Sequence, residues 1–293
     1  MIYVSSSCVR KKHIAEVIQL LAENNIRNIE LSGGTEYYDD IENDLNKLKH
    51  LYHLNYVCHA YFPPPRNSFV VNLASCNDKI YKQSIEHYAR CIDMLKNIKC
   101  KVLSIHAGFL VEINAEEIGG RLSNKIIYEE DKAYDRFCSA YEKLAQRCAE
   151  NGIELFLENN VLSKENYEEF EYHNYMMMTD YASIMKMKNQ LEFSLLLDLG
   201  HLHVSSKTLG NNYTEECDKL KKYVKWVHIS ENGGIFDEHK PLIEGSMILK
   251  EFSKMYGFHQ DLNVTLETTG AIDEIWKSIN LLDDAKNMLK GEE

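Results

Sequence analysis

Proline is scarce in this chain, 4 in 293 residues, and no low-complexity stretch or internal repeat interrupts it. That excludes collagenous and Pro-rich disordered sequence. No apolar run approaches the ~20 residues of a membrane span, and the opening MIYVSSSCVRKKH lacks the basic-then-apolar layout of a secretory signal. A cytoplasmic address with no membrane partner is the expectation. The 8 cysteines (Cys8, Cys58, Cys76, Cys91, Cys100, Cys138, Cys148, Cys217) include no C-x-x-C pair, so neither a zinc ribbon nor a disulfide framework is suggested. P-loop and dinucleotide fingerprints are also missing. Basic residues are in deficit, 33 Lys+Arg against 45 Asp+Glu, for a net charge of −12. Such a balance repels a polyanion at long range and leaves a small anionic substrate open.

What is present is a globular composition, 44% hydrophobic and 27% charged, long enough to bury a sizeable core. Short apolar runs alternate with amphipathic stretches along the whole chain, the rhythm of βα units around a parallel sheet. The spacing predicts strands over Ile2–Ser5, Asn28–Leu31, Asn55–His59, Val102–His106, Ile153–Glu158, Phe193–Asp198, Val224–Ser230 and Asn263–Glu267. Eight such units close a barrel, so the expectation is an α/β fold, one (β/α)₈ TIM-barrel domain over residues 1–293. Tyr81, Ile85, Tyr88, Ile92 and Leu95 step by four and three, as do Tyr134, Phe137, Tyr141, Leu144 and Cys148. Each set makes one apolar helical stripe. Two long connections, Ala107 to about Glu130 and Asn159 to about Thr179, are candidates either to cover a substrate or to pack over the barrel rim.

A parallel barrel carries its active site at the C-terminal strand ends. His59, His106, Glu158 and Asp198 end the third to sixth strands, and His201 follows three residues after Asp198. His228 lies in the seventh strand, Asp237 and His239 follow it, and Glu267 ends the eighth. A lone strand-end His or Asp is more often a cap or a satisfied core residue. Carboxylates inside LFLE, LLLD and VTLE need a cation or dense hydrogen bonding, and a metal supplies the cation. Mixed imidazole and carboxylate donors suit zinc, manganese, cobalt or ferrous iron, zinc or manganese leading.

The order IELSGG, CHAYF with VVNLAS, LSIHAG, LFLENN, LLLDLGH, VHISENGGIFDEH and VTLETTG resembles the xylose isomerase-like TIM barrels. That superfamily includes sugar and sugar-phosphate isomerases and epimerases and the endonuclease-IV-type AP endonucleases. Resemblance to the one-metal isomerases implies that Glu158, Asp198, His228 and Glu267 bind a divalent cation. Glu158 and Glu267 would then shuttle a proton through an enediolate, with His201 touching a small sugar or sugar phosphate. Resemblance to the endonuclease-IV-like members implies three zinc sites and phosphoester hydrolysis. These would be His59, His106 and Glu158; Glu158, Asp198, His228 and Glu267; and His201, Asp237 and His239. One to three ions are therefore implied.

Glu238 between Asp237 and His239, the loop YFPPPRNSF and the acidic balance weigh against DNA. A small carbohydrate is the expected partner, nucleic acid ranks below it, and a homo-oligomer is compatible with the sequence. A non-catalytic sugar-binding barrel is a third class. For a substrate phosphate the candidate is Thr268-Thr269-Gly270 ahead of the last helix, a pattern more often simple N-capping. Cys58 should face away from His59 and pack.

Overall fold

The structure, a computed structural model, describes residues 1–117 and 120–287. Eight parallel strands form a closed barrel in sequence order. They are β1 (Ile2–Ser5), β2 (Asn28–Leu31), β3 (Asn55–His59), β4 (Val102–His106), β5 (Glu154–Glu158), β6 (Ser194–Asp198), β7 (Val224–Ile229) and β8 (Asn263–Leu266). β5 and β6 each begin one residue later than expected, and β7 and β8 each end one earlier, so Glu267 leaves β8 by one position. No described helix is long and apolar enough to cross a membrane.

Strand alternation explains how one sequence builds both a core and a site inside the barrel, because residues two apart point the same way. Tyr3, Val57, Phe156, Leu196 and Trp226 pack together as one apolar layer. Two residues further along, Val57 is followed by His59, Phe156 by Glu158, Leu196 by Asp198 and Trp226 by His228. The register sets His106 beside Glu158 and Asp198 beside His228. The intervening residues, such as Leu103, Leu157, Leu197 and Val227, are buried in the larger core outside the barrel.

The helices supply that outer core. Tyr134, Phe137, Tyr141, Leu144 and Cys148 are all buried on the helix Glu130–Glu150. Tyr88, Ile92 and Leu95 do the same on Asp78–Asn97, where Tyr81 and Ile85 are only partly buried. The Glu130–Glu150 helix stops at Asn151-Gly152, where Gly152 takes a left-handed φ of 66° and β5 starts two residues later. Cys58 turns outward, its Sγ 3.9 Å from that of Cys91, as alternation requires.

The long connections are built structures. Phe109 pairs with Met176 in an antiparallel bridge, the Leu110 amide donates to the Tyr175 carbonyl at 2.7 Å, and the Met177 amide donates to that of Gly108 at 3.1 Å. The Asn160 side-chain amide donates to the carbonyls of Ala107, Gly108 and Met177 at 2.9–3.0 Å. A Cβ at Gly108 would fall 2.5 Å from that of Ala74, so only glycine allows this approach. The two loops are thereby zipped into a roof above the C-terminal strand ends.

Candidate metal and active site

All nine side chains expected from the sequence, at the strand ends or in the segments that follow them, converge beneath this roof. Glu158, Asp198 and His228 are completely buried, and Glu267, His59 and His201 are nearly so. One ligand atom each from Glu158, Asp198, His228 and Glu267 lies within 4.8 Å of the others, and the same holds for His59, His106 and Glu158. The third set meets through Asp237, whose Oδ2 is 3.2 Å from His201 Nε2 and 2.8 Å from His239 Nε2. His59 and His106 approach to 3.2 Å.

The imidazoles share one design. His59 Nδ1 is 2.9 Å from Ser104 Oγ, His201 Nδ1–H donates to the Asn159 carbonyl at 2.9 Å, and His239 Nδ1–H donates to that of Glu267 at 2.9 Å. His228 Nε2–H donates to Glu30 Oε2 at 2.9 Å. In each ring the second nitrogen faces the carboxylates: His228 Nδ1 is 3.4 Å from Glu158 and 3.5 Å from Glu267, and His59 Nε2 is 3.4 Å from Glu158. An imidazole anchored at one nitrogen and aimed at acids with the other is the arrangement that fixes the tautomer of a metal ligand. Asp198 adds a local role. Its Oδ1 accepts the His201 amide at 2.6 Å, capping the helix Leu199–Leu209 and fixing His201 in its first turn.

Both oxygens of Glu158, Oδ2 of Asp198 and Nδ1 of His228 are buried without a hydrogen-bond partner. Unpartnered buried acceptors are costly. A divalent cation satisfies this mixed N/O set, so the residues present fit one. The electrostatics carry the same strain. Burial drives the His59 pKa down to about 3 against the pull of Glu158. Burial, with help from Asp237 and Glu158, pushes Asp198 up to about 7 despite His201. Burial also opposes ionisation of Glu267, yet His228 outweighs it and holds that carboxyl at about 2. Burial lowers His228, but Glu30, Glu267 and Glu158 overcome it and push the ring above the usual imidazole range.

Glu30 is the site residue that the sequence reading missed. It is 1% exposed, bonds His228, and also accepts from Thr265 Oγ1 at 3.1 Å, which itself accepts from Trp226 Nε1 at 3.0 Å. The available signal was a glutamate inside the four-residue strand NIEL, in register with Val57 of the lumen.

The cavity above the site measures about 680 Å³, within the usual range for a small-ligand pocket. His59, His106, His201, Asp237, His239 and Glu267 border it; Glu158 does not, so the two glutamates are unequally placed. Thr268-Thr269-Gly270 offers no phosphate cradle. The Thr269 amide donates to the His239 carbonyl at 2.8 Å and the Ala271 amide to the Glu274 carboxylate at 2.8 Å, so these groups are taken up internally. Glu238 bonds Lys240 and the Gly233 amide beside the site.

Comparisons with known proteins agree with this architecture. Protein MJ1614 of Methanocaldococcus jannaschii is 23% identical over 244 residues, covering 83% of this chain and 81% of that protein. A D-tagatose 3-epimerase-like protein superposes with a TM-score of 0.75 at 19% identity, over 99% of this chain and 98% of the other. Endonuclease IV from Thermus thermophilus gives 0.60 at 15% identity, over 98% and 99%. Likenesses at such identities establish the fold alone. The family model for the xylose isomerase-like TIM barrel matches residues 15–285, nearly the whole barrel, and the chain therefore belongs to that family.

Proposed function

We propose that this protein is a divalent-metal-dependent isomerase or epimerase that moves a proton at the carbon next to the carbonyl of a small sugar or sugar phosphate. The observation that carries the reading is the set of imidazoles anchored outward and aimed at carboxylates whose buried oxygens lack partners. Glu158, Asp198, His228 and Glu267 would hold the ion, with zinc or manganese the best match. The sugar epimerase-like neighbour supports the substrate class.

A bound divalent ion supplies Lewis-acid polarisation of carbonyl and hydroxyl oxygens. Glu267, held ionised and bordering the cavity, takes the proton from the substrate carbon. Glu158 would act as the second carboxylate of the shuttle once it has taken up a proton, and His201 contacts a substrate hydroxyl. Glu30 is a positioning residue that fixes the His228 ring through Nε2. The paired loops roof the cavity over the reacting carbons.

The test is deuterium incorporation from heavy water into a panel of aldoses and ketoses by manganese-loaded protein. Incorporation is expected with the native chain and lost in Glu158→Gln and Glu267→Gln with unchanged circular dichroism. Undiminished incorporation in both variants would contradict the shuttle. A second reading, a trinuclear-zinc phosphoester hydrolase, is favoured by the additional ligand sets through His59 with His106 and through Asp237 with His201 and His239. Zinc-dependent nicking of abasic duplex DNA, weakened steeply by salt, would install it instead.

A further inference from the structure

The cavity has two unlike halves. Its floor is the polar constellation described above. Above it Phe109, Ile113, Leu122, Tyr175 and Met176 of the roof, with Phe69 beside them, outnumber the polar Ser163 and Asn166. The roof is fixed by backbone pairing: the Phe109–Met176 bridge and the Leu110–Tyr175 bond hold it, and the Asn72 side chain donates to the Phe109 carbonyl at 2.8 Å. An apolar wall held this firmly is a preformed surface for hydrocarbon.

A free sugar carries hydroxyls on every side. Those facing the floor find partners, and those facing Phe109 or Leu122 lose water without replacement. A phosphate at the far end fares worse. The carboxylates on the cavity wall are Glu117, Asp237 and Glu267, and no Lys or Arg borders it among the described residues. The backbone candidate named from the sequence, the start of the helix Ile272–Asn287, is occupied by Glu274.

Resting on the proposed sugar isomerase or epimerase reading, we infer that the substrate is an uncharged sugar carrying an aryl or alkyl substituent at the end remote from the reacting carbons. The sugar hydroxyls meet the floor, and the substituent lies between Phe69, Ile113 and Met176.

The test is calorimetric titration of manganese-loaded protein with matched trios of one hexose: its 6-O-phenyl ether, the free sugar and the 6-phosphate. At least one 6-O-phenyl ether is expected to bind tenfold or more tightly than both its companions. Ile113→Asn and Met176→Gln, both at partly exposed positions, are expected to erase that advantage while leaving free-sugar affinity and melting temperature in place. The inference is overturned if the 6-phosphate or free sugar binds tightest, if the advantage survives both substitutions, or if no member binds. Deuterium exchange on the same panel separates the two readings. Exchange confined to free or phosphorylated sugars would remove the substituent and keep the proton shuttle. 6-O-Phenyl ethers that bind and release without exchange on any sugar would keep the apolar roof and remove the shuttle.

Discussion

The two layers inside the barrel are made by the same strands, two residues apart, with opposite chemistry. The lower layer of Tyr3, Val57, Phe156, Leu196 and Trp226 is apolar and self-satisfied, with ring pairs at 5.2 and 5.6 Å. The upper layer of His59, Glu158, Asp198 and His228 is equally buried and leaves several polar atoms unpartnered. Burial at the first site stabilises the fold through packing. Burial at the second costs stability, which is the mark of a place kept for function. The hydrogen-bonded run from Trp226 through Thr265 and Glu30 to His228 joins them, so the packed layer sets the orientation of the reactive one.

Changes in each layer should separate activity from stability. The largest effect is expected for Glu267→Gln, a fall of about 10²–10⁴-fold in proton exchange with little change in melting temperature, read by deuterium incorporation and calorimetry. In the lower layer, Phe156→Ala should cost about 3–5 kcal/mol of unfolding free energy by denaturant titration, while the folded fraction keeps its metal affinity. A loss of affinity there as large as in an upper-layer variant would erase the distinction. Between the layers, Glu30→Gln should weaken metal binding about 10–100-fold by isothermal titration. Thr265→Val should do so less, and nitrogen NMR of His228 should report the altered tautomer only in the first.

The smallest effect tests the outer core. His87 packs edge-on to Phe69 and Tyr88, and burial, with Arg90 adding to it, lowers its pKa to about 4. Its folded pKa lies below the unfolded value of about 6.5. Its contribution is therefore present above that value and is lost as pH falls toward 4, by at most roughly 1.4 kcal/mol per pH unit. His87→Leu should flatten stability across that window, and an unchanged slope in pH-dependent melts would discard the assignment.

Much of this arrangement was legible before the structure. Apolar runs ending in His, Asp or Glu marked both the strands and the face on which the site would form, because alternation and barrel geometry leave few choices. Glu30 was not legible. In a strand as short as NIEL a glutamate reads equally well as solvent-facing, and only the closed barrel brings it to His228, distant in sequence. The roof was half legible. The length of both loops was visible, but the Phe109–Met176 pairing follows no local period and depends on Asn160 bridging three distant carbonyls. Of the apolar residues in the second loop, Tyr175 and Met176 border the cavity, Met177 and Met178 are core, and Tyr172 is exposed.

The most direct measurement of the central claim is the metal content of protein purified without chelators or a histidine tag, counted by elemental mass spectrometry for the native chain and for Glu158→Gln. At least one tightly held divalent ion per native chain, lost in the variant, is the expected result. No bound ion, or an occupancy that Glu158→Gln leaves unchanged, would contradict a metal centre built on these carboxylates.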